Sequence, residues 1–91
     1  MSTRHEVKVT IVNRLGLHAR PAMAFVDAAN LYQCDVRVCR EDTEVDGKSI
    51  MQMMMLAAGQ GTELLIICDG PDAEAACKAL KALVDGGFEE E

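Results

Sequence analysis

Four stretches of the chain carry the hydrophobic patterns of β-strands. Residues 7–11 and 34–38 alternate apolar with polar side chains, which predicts two strands that each bury one face. The acidic pair at 41–42 is typical of a turn and leads into a short third strand over residues 43–46. Residues 63–68 are nearly continuous aliphatic, and such a run predicts a strand at the centre of a sheet.

Two long stretches repeat apolar side chains at helical spacing. The first predicted helix covers about residues 19–32, although the residue before a proline avoids the helical region, which leaves Pro21 as an alternative start. The last predicted helix has Pro71 at its first position and ends at the glycine pair 86–87. Phe88 is then expected to fold back on the final turn.

A shorter helix is predicted between them. Ser49 followed three residues later by Gln52 is a capping box, which predicts a helix over about residues 50–58. This segment carries more apolar surface than one helix face can bury. It offers two stripes between which periodicity does not decide: Met53 with Leu56, and Ile50 with Met51, Met54 and Met55.

The order of predicted elements is strand, helix, strand, strand, helix, strand, helix. Four strands and three amphipathic helices, with nothing to cover a second face of the sheet, favour a two-layer α+β fold. Ninety-one residues suffice for one hydrophobic core, so we expect a single domain over residues 1–91. Residues 89–91 are expected to be a solvated acidic tail.

Charge and composition exclude several classes of function. A net charge of −6 argues against nonspecific nucleic-acid binding, which depends on clustered lysine and arginine. No apolar run reaches the length of a membrane span, and the first residues lack the apolar segment of a signal peptide. We therefore expect a cytosolic protein that binds neither nucleic acid nor membrane.

The cysteines are expected to be small hydrophobic side chains, because none has Cys-x-x-Cys spacing and all fall in apolar patterns or predicted elements: Cys34, Cys39, Cys68 and Cys77. An alternative is a small metal-binding protein of the copper-chaperone type. Such a protein needs paired cysteines in the first strand-to-helix loop, where this chain has His18 instead. We expect no metal and no cofactor.

The candidate chemistry lies at residues 16–22, Gly-Leu-His-Ala-Arg-Pro-Ala, where the first strand gives way to the first helix. A neutral imidazole is a nucleophile, and the free N–H groups that open a helix form an anion site. His18 is thus placed to accept a phosphoryl group, and Arg20 adds a permanent positive charge. Four cations of the first third of the chain are expected to give a locally positive edge near His18: Arg4, Lys8, Arg14 and Arg20.

Residues 16–22, the segment 47–51 and the turn at Gly70 resemble the HPr family, the histidine-containing phosphocarrier proteins of the bacterial phosphotransferase system. The resemblance covers nearly the whole chain. It implies an open-faced β-sandwich, with a four-stranded antiparallel sheet and three helices on one face. It also implies that His18 takes a phosphoryl group on Nδ1 from phosphorylated enzyme I and passes it to enzyme IIA in sugar uptake, while Arg20 stabilises the group.

The same resemblance gives roles to the middle helix. Ser49 caps that helix, and the matching serine of many HPr proteins is also the target of a regulatory ATP-dependent kinase, HPr kinase/phosphorylase. The resemblance places one of the two apolar stripes outward, as the docking surface for enzyme I and enzyme IIA: Ile50, Met51, Met54 and Met55. Methionine suits a surface that fits several partners in succession.

A protein of this kind is a carrier with a phosphohistidine intermediate and not an independent catalyst. It is expected to be a monomer, because it visits several partners. Residues 21–23 and 87–88 also resemble a nitrogen-branch regulatory carrier of the same family, whereas residues 48–51 look more like the sugar branch. The alternative of a nitrogen-branch carrier therefore stays open at this point.

Overall fold

The sheet has four antiparallel strands. The computed structural model describes residues 3–89. Strands β1 (Arg4–Thr10), β2 (Asp35–Arg40), β3 (Thr43–Asp46) and β4 (Glu63–Asp69) lie in the order β1-β4-β2-β3. Every neighbouring pair runs antiparallel. The predicted order of strands along the chain and the antiparallel sheet implied by the family resemblance are both confirmed.

Three helices cover one face of this sheet. They are α1 (Ala19–Ala29), α2 (Ile50–Met54) and α3 (Ala73–Asp85), and a single 3₁₀ turn over Gly87–Glu89 follows α3. Within residues 3–89, no helix lies on the opposite face of the sheet, so the α+β open-faced sandwich is confirmed. Phe88 is buried in the 3₁₀ turn, as its predicted return to the last helix requires.

The central position of β4 explains its unbroken aliphatic sequence. Leu64, Ile66 and Cys68 face the helices and belong to the main core. Ile67 lies on the open face but is only 8% exposed, because it sits between Glu6 of β1 and Arg37 of β2. The long stems of such charged side chains can cover apolar surface, so a central strand tolerates apolar residues on both faces.

Three of the four cysteines are buried core residues, namely Cys34, Cys68 and Cys77, whereas Cys39 is half-buried on the open face. All four are free thiols. Burial raises the pKa of the Cys34 and Cys68 thiols, so both stay protonated and behave as small apolar groups.

Two helices end earlier than predicted, for the same physical reason. After Ala29, the N–H groups of Leu31 and Tyr32 donate to carbonyls three residues back, so α1 does not reach residue 32. After Met54, the chain again makes bonds to carbonyls three residues back as far as Ala57, and α2 does not reach residue 58. Such bonds tighten the last turn, and the spacing of apolar residues does not indicate where this tightening begins.

Helix starts also differ in part from prediction. The first helix begins at Ala19, the earlier of the two expected positions. The last begins at Ala73 and not at Pro71, with Asp72 at the N-cap. The Asp72 carboxylate does not cap α3 but accepts from the N–H groups of Gln33 and Cys34, at 2.8 and 2.9 Å. These hydrogen bonds lower the pKa of Asp72 and join the α1–β2 loop to the start of α3.

Candidate functional site

Two loops lie against each other at one end of the sheet. The N–H of Ile11 donates to the Thr62 carbonyl at 2.9 Å, and the N–H of Gly61 donates back to the Ile11 carbonyl at 2.8 Å. Further along the same loop, the N–H of Leu17 donates to the Ala58 carbonyl at 2.8 Å. The segment that leads into α1 is therefore held by the segment that follows α2.

Gly16 is required where the two loops are closest. Its φ is +74°, and a Cβ at this position would lie 2.5 Å from the Ala58 carbonyl oxygen and 2.8 Å from the Gly59 Cα. Both atoms belong to backbone, which cannot move aside as the end of a flexible side chain can. The Asn13 side chain is buried and donates to the Gly16 carbonyl at 2.7 Å, which fixes the turn from inside.

His18 occupies the N-cap position of α1. Its backbone is extended, with φ −86° and ψ −168°, and its carbonyl accepts the first helical bond from the N–H of Ala22 at 2.9 Å. The imidazole does not cap the helix. The N–H groups of Ala19 and Arg20 precede the first helical bond, and Pro21 has none. Two backbone donors thus open the helix directly after His18.

The half-buried His18 lies in a shallow depression with charges of both signs and an apolar rim. Arg14 and Arg20 supply positive charge, and Asp27 and Glu89 supply negative charge. The apolar lining comes from residues that sequence reasoning did not assign to the site: Leu15, Met23 and Phe88. Leu15 and Met23 are exposed, so apolar surface is available to a partner beside the imidazole.

The predicted positive edge is only half correct. Arg14 and Arg20 line the depression, but Arg4 and Lys8 do not. Arg4 pairs with Glu6 at 2.7 Å, and Lys8 lies opposite Leu65 of β4. Both belong to β1, whose polar positions point to the open face of the sheet, so closeness in sequence does not bring them to His18.

The turn that follows α3 borders the site, a contact that the sequence analysis did not predict. Phe88 and Glu89 have positive φ values of 57° and 62°, and this turn brings both residues to the depression around His18. A signal for this was Phe88 itself, an aromatic residue expected to return to the core. Of the predicted acidic tail, Glu89 is exposed, and residues 90–91 lie outside the described part of the chain.

Ser49 begins α2 as the predicted cap. Its Oγ accepts from the N–H of Gln52 at 3.3 Å. The return half of the capping box is absent, because the Gln52 Oε1 accepts instead from the N–H of Asp46 at 2.9 Å. The Ser49 N–H donates to the Asp46 carbonyl at 3.1 Å, so the turn from β3 is closed by backbone.

The two stripes of α2 separate clearly in the structure. Met53 and Leu56 are fully buried in the core. Met51 and Met55 are 77% and 73% exposed, Met54 is exposed, and Ile50 is half-buried. Met55 lies three residues before Ala58, and the Ala58 carbonyl accepts a hydrogen bond from the Leu17 N–H. A short stretch of backbone and this hydrogen bond therefore connect the exposed stripe to the loop that contains His18.

Residues 3–89 contain neither a cluster of metal ligands nor a membrane-spanning helix. No group of three or more histidine, cysteine or acidic side chains there is placed to hold a metal ion. None of the helices in this part of the chain is long and apolar enough to cross a bilayer.

Comparison with known proteins decides the family. Residues 5–85 match the family model described as the PTS HPr component phosphorylation site. The chain belongs to the HPr family. It is 49% identical to the phosphocarrier protein HPr of Pseudomonas aeruginosa, over 92% of this chain and 94% of that one. It is 43% identical to the phosphocarrier protein HPr of Treponema pallidum, over 91% and 94%.

Solved structures agree with this assignment. The crystal structure of HPr-C-His from Thermoanaerobacter tengcongensis is similar with a TM-score of 0.92 and 40% identity, covering 96% of this chain and 98% of that one. The HPr family consists of phosphocarriers of the phosphotransferase system, and the present chain shares its fold and nearly its whole length. The phosphocarrier role is therefore the function that its family supports.

Replacing Gly16 by alanine tests the contact between the two loops. We expect Gly16→Ala to lower the free energy of unfolding by at least about 2 kcal/mol, because it combines a left-handed backbone with a clash against the Ala58 carbonyl. Gly59→Ala is the matched control, since its Cβ would meet nothing within 4 Å. Urea unfolding of both variants measures the difference, and equal stabilities would contradict the required close approach.

Proposed function

We propose that this chain carries a phosphoryl group from enzyme I to enzyme IIA of the phosphotransferase system, with His18 as the acceptor. The observation that carries the proposal is the placement of His18 at the N-cap of α1, directly before the N–H groups of Ala19 and Arg20. The guanidinium of Arg20 borders the same depression. The nucleophile of this proposal is thus followed directly in sequence by two backbone donors and shares its depression with Arg20.

The transfer step needs no further group from this chain. The lone pair of the neutral His18 Nδ1 attacks phosphorus on phosphorylated enzyme I. The bond from phosphorus to the donor breaks as the new phosphorus–nitrogen bond forms, and its electron pair returns to the donor. In the second step, enzyme IIA supplies the nucleophile and the His18 imidazole is the leaving group.

The chain's own contribution is position and charge. Negative charge on the phosphoryl oxygens is met by the N–H groups of Ala19 and Arg20 and by the Arg20 guanidinium. A charge at a helix N-terminus gains typically about 0.3–1 kcal/mol and up to about 2 kcal/mol. This magnitude suits a carrier, because stronger binding of the phosphorylated state would slow its release to enzyme IIA.

The docking surface in this proposal is the exposed stripe of α2, formed by Ile50, Met51, Met54 and Met55, together with Leu15 and Met23 beside His18. Its exposed apolar area has no cover among residues 3–89, and methionine side chains adapt to differently shaped partners. A cytosolic, monomeric carrier fits this arrangement, because the same surface has to meet donor and acceptor in turn.

Removal of His18 tests the proposal directly. With labelled phosphoenolpyruvate and enzyme I, we expect the unmodified chain to take up label and His18→Ala to take up none. The other histidine of the chain, His5, lies exposed in β1, and His5→Ala is the matched control that should be labelled normally. Label on the His18→Ala protein would show that another residue is the acceptor.

Parallel assays with sugar-branch and nitrogen-branch enzyme I decide between the two branches.

Ser49 is the proposed site of regulation, by an ATP-dependent HPr kinase/phosphorylase. Its half-buried hydroxyl opens α2, where a phosphate would meet backbone N–H groups and leave the fold intact. The added charge of about −1.5 to −2 would stand next to Ile50 and Met51 of the docking surface. Docking of enzyme I would weaken as a result.

Substitution of Ser49 separates charge from capping. Aspartate and asparagine cap helices about equally well, but only aspartate adds negative charge. We expect Ser49→Asp to raise the KM for enzyme I in the phosphorylation of His18 by several-fold, and Ser49→Asn to leave it unchanged. If both variants or neither raise the KM, the proposed effect of charge at Ser49 is wrong.

A further inference from the structure

Arg40 ends strand β2 and makes hydrogen bonds outside the sheet. It follows the buried residues Val36 and Val38 at alternate positions, so it points to the helix side. Its Nη1 donates to the Leu56 carbonyl at 2.8 Å and to the Ala57 carbonyl at 3.4 Å. The half-buried guanidinium thus connects the sheet to the chain segment that follows α2.

Those two carbonyls lie where the backbone leaves helical geometry. The last turn after α2 is closed by bonds to carbonyls three residues back, and Ala57 then adopts a positive φ of 51°. A non-glycine residue in this conformation stores strain and needs fixed surroundings. Carbonyls at a helix end also lack helical partners, and Arg40 supplies a charged donor to them.

The next residue reaches the phosphorylation site. Ala58 follows Ala57 directly, and its carbonyl accepts the Leu17 N–H at 2.8 Å. The backbone of Gly16 lies against the same carbonyl and against Gly59. Leu17 immediately precedes His18, so a short path of hydrogen bonds and peptide units joins the Arg40 guanidinium to the backbone of the acceptor residue.

We propose that Arg40 is a positioning residue for phosphoryl transfer at His18. It holds the 56–58 segment, which in turn holds Leu17 and sets the entry of the chain into α1. This inference rests on the proposed role of His18, and it adds the last residue of β2 to the residues that shape the site. Arg40 is not among the residues that line the depression around His18, so its loss is expected to act on geometry and to leave the reacting groups in place.

Arg37 provides a matched control on the same strand. It lies on the open face of the sheet and pairs with Glu44 at 3.1 Å, away from the helix side. Arg37→Met and Arg40→Met each remove one guanidinium from β2 and keep an apolar stem of similar length. Only the second removes the link to the Leu56 and Ala57 carbonyls.

The test measures backbone protection and transfer kinetics together. In Arg40→Met, we expect the Leu17 amide hydrogen to exchange at least about tenfold faster, because the carbonyl that binds it is less firmly held. We expect kcat for phosphorylation of His18 by enzyme I to fall about tenfold at unchanged KM. Arg37→Met should alter neither quantity, and Arg40→Lys, which keeps a cationic donor, should recover at least half of the lost rate.

Several results would overturn the role of Arg40. One is that Arg40→Met leaves both the exchange rate of the Leu17 amide and kcat unchanged. Another is that Arg40→Met raises KM alone, which would indicate a role in docking. A third is that Arg37→Met lowers kcat as much as Arg40→Met does. Thermal unfolding shows whether Arg40→Met is folded. If it is not, Leu17 exchange and kcat are compared between Arg40→Lys and the unmodified chain instead. If the unmodified chain accepts no phosphoryl group at His18, the proposed function is wrong; if it does and Arg40→Met matches it, only the role of Arg40 is wrong.

Discussion

The backbone hydrogen bond from Leu17 to the Ala58 carbonyl is the contact on which the arrangement of this site depends. It joins two loops that are more than forty positions apart in sequence, and it does so at the residue before His18. Gly16 makes the approach possible because it has no Cβ to meet that carbonyl. The sheet and the helices supply the framework, and this contact holds the residue before His18 against the segment that follows α2.

The start of α1 gives the imidazole its surroundings. Because His18 is the N-cap, the N–H groups that precede the first helical bond belong to the two residues that follow it. Arg14 and Arg20 bring two positive charges to this depression, which Asp27 and Glu89 also border, on a chain with a net charge of −6. In the proposed function, these cations and the opening N–H groups attract the phosphoryl group, and we expect the net negative charge of the chain to disfavour nucleic acid.

Much of the fold follows from local pattern. Alternation in β1 and β2 and the aliphatic run of β4 are direct consequences of which faces are buried, so the strands were predicted well. Helix ends were predicted less well, since the turns at residues 30–32 and 55–57 depend on hydrogen bonds to carbonyls three residues back. The capping role of Ser49 follows from sequence, but the partner of Gln52 depends on how β3 approaches α2.

The site was predictable where its residues are neighbours in sequence, as in 16–22. It was not predictable where the fold brings together parts of the chain that are distant in sequence. Arg4 and Lys8 seemed close to His18 by number but belong to β1, whereas Phe88 and Glu89 come from the other end of the chain and line the depression. Arg40 was not indicated by the sequence either, because its contacts depend on the path of the chain after α2.

In the proposed function, a phosphoryl group on His18 is held by the opening N–H groups of α1. Nuclear magnetic resonance of the ¹⁵N-labelled protein, before and after phosphorylation by enzyme I, measures this most directly. We expect a phosphorus–nitrogen coupling at the His18 ring and large downfield shifts of the Ala19 and Arg20 amide protons, because charge-assisted hydrogen bonds form. A coupling at another residue, or amide protons of Ala19 and Arg20 that do not move, would contradict it.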